Sequence, residues 1–427
     1  MSDPARRVAL GAILRVTEHG GYSNLALPGA VRRAGLDADQ RAFATELTYG
    51  TLRRMLSLDR AIEQRSSRPM RRMTSGARAV LRLGAYQLMF LRVPAHAAVS
   101  ESVSLAATHE RGFVNAILRS LAADPPAPPT GPSSEDIAVR TGLAAWAVEE
   151  LRSLVGDDAE NAAAALGERA PLSIRANTCA TTAAELLATV REAGVAAESS
   201  SLHPDVLLLE GADPRGLPGF DEGRFAVQDQ ASAFVVSALD PRPGERVLDL
   251  CAGPGGKAAH IACLVGPEGS LVASDVHPRR AGLVARTAER LGVRARVLVQ
   301  DAIRPALGGG FHRVLVDAPC SGLGSARRRP ELLWRGSHVE LEALARLQLA
   351  IASSGAGLLE PGGTLVYSVC TFPSIETDGV CDALLAARPE LEPVPIEGPD
   401  GAAERVRLWP HRHGSDAMFI AAFRRSA

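Results

Sequence analysis

Lysine is almost missing from this 427-residue sequence: of its 47 cationic side chains 46 are Arg, and the exception is Lys257. Net charge is missing too, because 48 Asp and Glu bring the total to −1. Aromatic residues make up 4%. No apolar run approaches the 18 or so residues of a membrane span, and the opening MSDPARRVALGAI lacks the apolar stretch of a secretion signal. A cytoplasmic protein with no membrane partner is expected. Cysteine is sparse, at positions 179, 251, 263, 320, 370 and 381. Six in so long a chain do not make a disulfide framework, and a reducing compartment keeps thiols free. None belongs to a C-x-x-C pair, so no metal is expected.

What is present is a globular composition, 46% hydrophobic and 22% charged, long enough for two or three domains. Charge is segregated within it. Residues 1–123 carry 18 Arg against 9 acidic residues, and eight arginines between Arg60 and Arg92 face one acid, Glu63. Such a run suits a surface that meets phosphates, and equally a solvated face. Apolar residues recur at three- and four-residue spacing in VALGAILRVTEHG, FATELTYGTLRRMLSLDRAI, AVLRLGAYQLMFL and AVSESVSLA, so residues 1–123 read as helical. The Pro/Gly/Ser run at 124–134 reads as a linker.

Residues 135–225 begin with two helical stretches. They continue as a small α+β unit, with LSIRANT and DVLLLEG as strands and a helix opened by Thr181 and Thr182 between them. From 226 to 427 the pattern alternates: ERVLDL, SLVASD, RARVLVQD, HRVLVDAP and GGTLVYSV have strand length and are separated by helical stretches or Gly-rich turns. That is the signature of an α/β domain with a mostly parallel, doubly wound sheet, in which ligands bind beyond the carboxyl ends of the strands.

The chemistry-bearing residues fall at such ends. The first strand ends at Asp249 and enters CAGPGGK, where Gly253, Gly255 and Gly256 let the backbone turn tightly and approach a ligand. Twenty residues after Gly255, Asp275 ends the second strand, where a carboxylate accepts from a ribose diol. Asp301 ends the third, within reach of an adenine edge. Acidic residues around the turn would repel a pyrophosphate, so a nucleoside cofactor without one fits. The fourth strand runs into DAPCSGLG, giving Asp317 and Cys320, and the fifth into YSVCTF, giving Cys370. Two thiols at neighbouring strand ends beside a cofactor suit methyl transfer to an unactivated pyrimidine carbon. A thiolate adds to carbon 6, carbon 5 becomes nucleophilic, and a base then removes the carbon 5 proton. Spacing does not say which cysteine attacks.

DLCAGPGGK, SDVHPRR, DAPCSGLGSARRRPELLW, YSVCTF followed by Glu376, and RLWPHRHGSDAMF resemble, in order and spacing, the RNA cytosine-C5 methyltransferases of the Sun/NOL/NOP type. QRAFATELTYGTLRR, LRLGAYQLMFL and GFVNAILRSL look like the NusB-like RNA-binding domain, so the resemblance covers nearly the whole chain. It implies a Rossmann-like domain that binds S-adenosylmethionine through Cys251, Ala252, Gly253, Pro254, Gly255, Gly256 and Lys257, with Asp275 on the ribose, Asp301 near the adenine and Asp317 between cofactor and base. It also implies that Cys370 forms the covalent adduct and Cys320 assists proton removal or product release. Lys257, as a compact ammonium, is expected to orient Asp317 or the base pocket. The implied partner is 16S ribosomal RNA or an early small-subunit assembly intermediate. Transfer RNA is a second candidate substrate, and a non-catalytic RNA-binding factor a third reading that the paired cysteines argue against.

Gly253, Val369, Thr371 and Ala417-Met418 depart from the family's usual residues without removing a catalytic group. Arg327, Arg328 and Arg329 suit either RNA backbone or solvent. Trp334 is expected in the core, and His411 and His413 are not expected to hold a metal.

Overall fold

The computed structural model describes residues 3–426. It divides into two compact units, Met1–Glu168 with Ala326–Arg335, and Arg169–Ser325 with Gly336–Ala427.

The first unit is helical, as its periodicity predicts. The stretch read as one helix is two, Ala38–Arg53 and Met55–Arg65, because Arg54 leaves helical geometry (φ −97°, ψ 15°). Thr74 starts the central helix Ser75–Phe90 by accepting the Ala77 N–H. That helix packs Val80, Leu81 and Leu83 against Leu47, Leu58, Ile62 and Leu118. Gly84 permits the fit, since a Cβ there would lie 2.7 Å from Leu118 Cδ1. Residues 124–133 form neither helix nor strand. The helices Ser134–Thr141, Ala145–Val155 and Ala159–Leu166 complete the N-terminal stretch.

The segment 326–335 belongs to this unit as well. Fully buried Glu331 accepts from Ser23 N (3.0 Å) and Ser23 Oγ (2.7 Å), and Trp334 Nε1 donates to Leu52 O (2.9 Å). Trp334 packs on the helical core as expected. The arginine run is not a solvated face: Arg327 is buried, and Arg328 and Arg329 are half-buried.

In the second unit, β1 (Leu172–Ala176), β2 (Ala197–Ser199), β3 (Val206–Leu209) and β4 (Phe225–Val227) form an antiparallel sheet in the order β2-β3-β1-β4. Thr182 caps the helix Ala183–Glu192 in a reciprocal box with Glu185. The larger sheet contains β5 (Arg246–Asp249), β6 (Ser270–Asp275), β7 (Arg296–Val299), β8 (Phe311–Asp317) and β9 (Leu359–Val369), all parallel. Beyond a short hairpin of β11 (Ile396–Gly398) and β12 (Gly401–Ala403), three strands absent from the sequence reading extend the larger sheet antiparallel: β10 (Leu391–Val394), β13 (Arg405–Leu408) and β14 (Met418–Arg425). The order β10-β14-β9-β8-β5-β6-β7 reverses direction between β5 and β8. A crevice opens at such a reversal, beyond the strand ends.

One expectation is overturned. Cys179 and Cys263 form a disulfide across 84 residues, so not all six thiols are free. The turn after β1 is fixed against the larger domain, where Asn177 Nδ2 donates to Gly223 O and Leu291 O (both 2.8 Å). This brings the two Cα atoms to 5.7 Å, within bridging range. Among the described residues no helix is long and apolar enough to cross a membrane.

Candidate active site

Valine and leucine runs make β5, β8 and β9 central strands, and each ends in polar residues at the crevice. After β5 the chain turns through residues 251–255 into the helix Gly256–Val265. Two glycines are required there. Gly255 has φ +108°, and its Cβ would lie 2.9 Å from Val284 Cα; a Cβ on Gly253 would lie 2.5 Å from Asp275 Oδ2. The turn is held open from behind, where Arg280 Nη2 donates to Gly253 O (2.7 Å) and Thr287 Oγ1 to Pro254 O (3.0 Å).

The helix that follows places Lys257 in the crevice, with Nζ 2.8 Å from Asp317 Oδ2 at the end of β8. Asp317 Oδ1 accepts from Ser368 Oγ of β9 (2.9 Å), which fixes the carboxylate from two sides. Burial pulls the Lys257 ammonium down, but the Asp317 carboxylate more than offsets this, with Cys370 and Asp249 adding to it, so its pKa is raised. Asp249 lies beneath, 1% exposed, with no hydrogen-bond partner on Oδ2. Burial, and then the neighbouring Asp317 charge, push its carboxyl up to about 7, against the opposing pull of Lys257.

Cys320 and Cys370 meet, Sγ to Sγ, at 3.5 Å. The hydrogen bond to Cys370, then burial, raise the Cys320 thiol well above its ordinary value, and the Glu376 and Asp317 charges add to this. Cys320 is therefore a protonated thiol at neutral pH. Its turn is clamped by Glu376, fully buried, which accepts from Ser321 N (2.9 Å), Ser321 Oγ (2.5 Å) and Gln348 Nε2 (2.9 Å). Gln348 Nε2 also reaches Pro319 O, and Tyr367 OH donates to Glu376 O (2.7 Å).

Lys257, Asp317, Cys320 and Cys370 thus come together at one strand-end cluster. Asp275 lies beside the 251–257 turn. Its Oδ1 accepts the His277 N–H and its Oδ2 faces Arg280 Nε at 3.2 Å, so a ribose diol would share this carboxylate with a guanidinium. Asp301 stands further out, exposed, accepting the Ile303 N–H. Cys251 and Cys381 are not poised for chemistry: burial raises both thiols, Cys381 to about 12.

Four participants were not assigned from sequence. Asp249, Glu376 and Ser368 stood in quoted motifs without a stated role, and Gln348 carried no motif. Their signal is tertiary, since a buried carboxylate announces itself only once its neighbours are in place.

His413 Nε2 lies 3.3 Å from Asp400 Oδ2, an acidic neighbour the sequence did not reveal. Among the described residues the one His/Cys/Asp/Glu group at ligand spacing is His203, Asp205 and His260. There His203 Nδ1 accepts the Asp205 N–H, which leaves the proton of a neutral ring on Nε2. Burial, and then Arg175, lower the His260 imidazole well below its ordinary value, and the same guanidinium opposes a bound cation.

Comparisons with known proteins decide the family. A family model described as 16S rRNA methyltransferase RsmB/F matches residues 236–424. A NusB family model matches 3–123, and the ferredoxin-like domain of RsmF/B-like methyltransferases matches 143–214. The probable ribosomal RNA small subunit methyltransferase B of Bacillus subtilis is 33% identical, over 98% of both chains. The chain belongs to the RsmB family. A putative methyltransferase of Mycobacterium tuberculosis is 39% identical over 99% of this chain and 97% of its own. Among solved structures, PH0851 superposes with a TM-score of 0.85 at 26% identity, covering 98% of each chain. A methyltransferase homolog from Pyrococcus horikoshii gives 0.61 at 27%, covering 69% of this chain and 99% of its own. As an RsmB-type protein the chain is an S-adenosylmethionine-dependent rRNA methyltransferase with RNA as its partner.

Proposed function

We propose that this enzyme methylates carbon 5 of a cytosine in 16S ribosomal RNA, free or in an early small-subunit intermediate, through a covalent Cys370–RNA adduct. The observation that carries the reading is the pair of thiols 3.5 Å apart beside the Lys257–Asp317 pair. A non-catalytic RNA-binding factor has no use for that arrangement.

The residues around the turn fit S-adenosylmethionine. The bare Gly253 and Gly255 backbone leaves room for close approach. The buried Asp249 Oδ2, without a partner, suits the α-ammonium group of an amino acid. Asp275 and Asp301 would take the ribose and adenine ends, as the family resemblance implies. The cofactor supplies an electrophilic methyl group; the remaining chemistry belongs to the chain.

Cys370 Sγ, as thiolate, bonds to carbon 6 of the cytosine and pushes electron density to carbon 5, which takes the methyl group. Asp317, fixed by Lys257 and Ser368, would hold the ring-nitrogen side of the adduct. A general base takes the carbon 5 proton, the electron pair of that C–H bond returns to the ring, and the carbon 6–sulfur bond breaks to release the Cys370 thiolate. Cys320, in contact with that sulfur, assists this last stage. A base must leave its stack to reach the thiols, which favours a loop or accessible helix end.

The test is incubation with methyl-labelled cofactor and 16S RNA, followed by nucleoside analysis. Label should appear on carbon 5 of cytosine. Label confined to transfer RNA, or to another position, would overturn the assignment.

A further inference from the structure

The helical unit has a cavity of about 460 Å³ that the catalytic reading does not use. It is lined by the helix Met55–Arg65, the end of the helix Ser75–Phe90 and the prolines of 125–129, so the run read as a linker is a wall of the cavity. Its size falls within that of small-ligand sites, about 300–1,000 Å³.

Three features give it a chemical character. The lining includes Arg54, Arg60 and Arg140 and no acidic side chain. Arg140 is committed to Glu160 by two hydrogen bonds of 2.7 Å, whereas Arg60 is exposed and makes no ion pair among the described residues. Phe90 is 40% exposed, in a chain with few aromatics; the buried Tyr86 ring stacks on it at 5.6 Å, and the Arg54 guanidinium lies over it, 5.3 Å from its centroid. Finally, Arg60 opens the eight-arginine run noted in the sequence, so the cavity adjoins the positive stretch of the protein.

A guanidinium plane backed by an aromatic ring, apolar proline walls and a second arginine without an acidic partner form the combination that stacks a base and meets its phosphates. We propose that this cavity binds an unpaired nucleotide of single-stranded RNA, its base on the Arg54 guanidinium that Phe90 backs and against the prolines, and its backbone on Arg60. The proposal rests on the reading of the protein as an RNA methyltransferase and adds a second point of contact on the substrate, remote in sequence from the thiols. A protein ligand fits less well, because nothing in the lining would select one over RNA and the absence of acid favours an anion.

The full-length protein provides the test, through methyl transfer to 16S RNA and binding of a fluorescein-labelled single-stranded oligonucleotide. Phe90→Leu keeps the apolar volume and removes the aromatic ring that backs the Arg54 guanidinium. It should raise KM for RNA and weaken oligonucleotide binding about tenfold, with kcat unchanged. Phe90→Trp should restore both. Arg60→Glu should raise KM and reduce the slope of log affinity against log salt by about one. Arg32→Glu, an exposed arginine outside the cavity, should leave KM within about twofold. Wild-type affinity in Phe90→Leu, an equal loss in Arg32→Glu, or equally strong competition by duplex RNA would each overturn the proposal. If the wild-type protein transfers no methyl group to 16S RNA, the substrate reading fails, while oligonucleotide binding still decides the cavity.

Discussion

Lys257 Nζ lies 2.8 Å from Asp317 Oδ2, and Ser368 Oγ holds the other oxygen at 2.9 Å, so the one lysine of the chain serves to fix one carboxylate. An ammonium can do this in a largely buried space at the start of a helix. A guanidinium is longer, planar and forked. Lys257→Arg is therefore expected to displace Asp317 and lower kcat about 100-fold while the fold persists, as a displacement of about 1 Å can. Steady-state kinetics with circular dichroism checks this, and near-wild-type turnover would reduce the lone lysine to a compositional accident.

The thiol pair gives two separable phenotypes. Cys370→Ala should lose both turnover and the covalent complex. Cys320→Ala should retain adduct formation and fail at release, leaving a protein–RNA band that survives denaturing electrophoresis. An exchange of the two phenotypes would make Cys320 the nucleophile.

Glu376 is expected to act through Cys320. Removing its carboxylate frees Ser321 N–H and hydroxyl, and with them the turn that places the Cys320 sulfur. Glu376→Ala should lower kcat by about 100-fold and accumulate the same trapped adduct, with cofactor affinity unchanged. Loss of cofactor binding in step with turnover would instead indicate general collapse of the site.

Asp249 makes stability depend on pH. Its folded pKa, about 7, lies above the ordinary carboxylate value, so the folded state holds a proton that the unfolded chain gives up near pH 4. The unfolded state binds fewer protons in that window, and its contribution to stability falls as pH rises from about 4 to 7. Asp249→Asn should remove this loss. The variant should melt higher than wild type at pH 8, and the gap should close towards pH 4. It should also bind S-adenosylmethionine less well at pH 8, where wild type offers an ionised partner to the ammonium group. Thermal melts with isothermal titration measure both.

The parallel core was legible because β5, β6, β7, β8 and β9 are apolar runs punctuated by glycine, and parallel strands buried on both faces must be written that way. Asp249, Asp275, Asp317 and both site cysteines follow directly, as the residues just past those runs. The antiparallel strands β10, β13 and β14 were not seen, because PHRHGSDAMF and its surroundings carry polar residues and turns that obscure a strand period. The Cys179–Cys263 bridge was hidden by 84 intervening residues. Arg280 was read as part of a motif, and its pairing with Asp275 required the helix Pro278–Arg290 to be placed. The bridge joins segments distant in the chain, and the Arg280 pairing depends on how a helix is set against a strand end; composition and periodicity encode neither.

The helical unit is not finished when its ten helices have been made. Glu331, Leu332 and Leu333 are buried in it, and Leu333 O accepts from Ala144 N at 2.7 Å. During synthesis this strip emerges well after residue 168, about 10–30 s later at about 5–20 residues per second. Until then the seats of Glu331 and Trp334, at Ser23 and Leu52, stand open on the nascent protein. Proteolysis at residue 168 would leave either product with half of that seam, so a single cut of the chain cannot yield the helical unit whole.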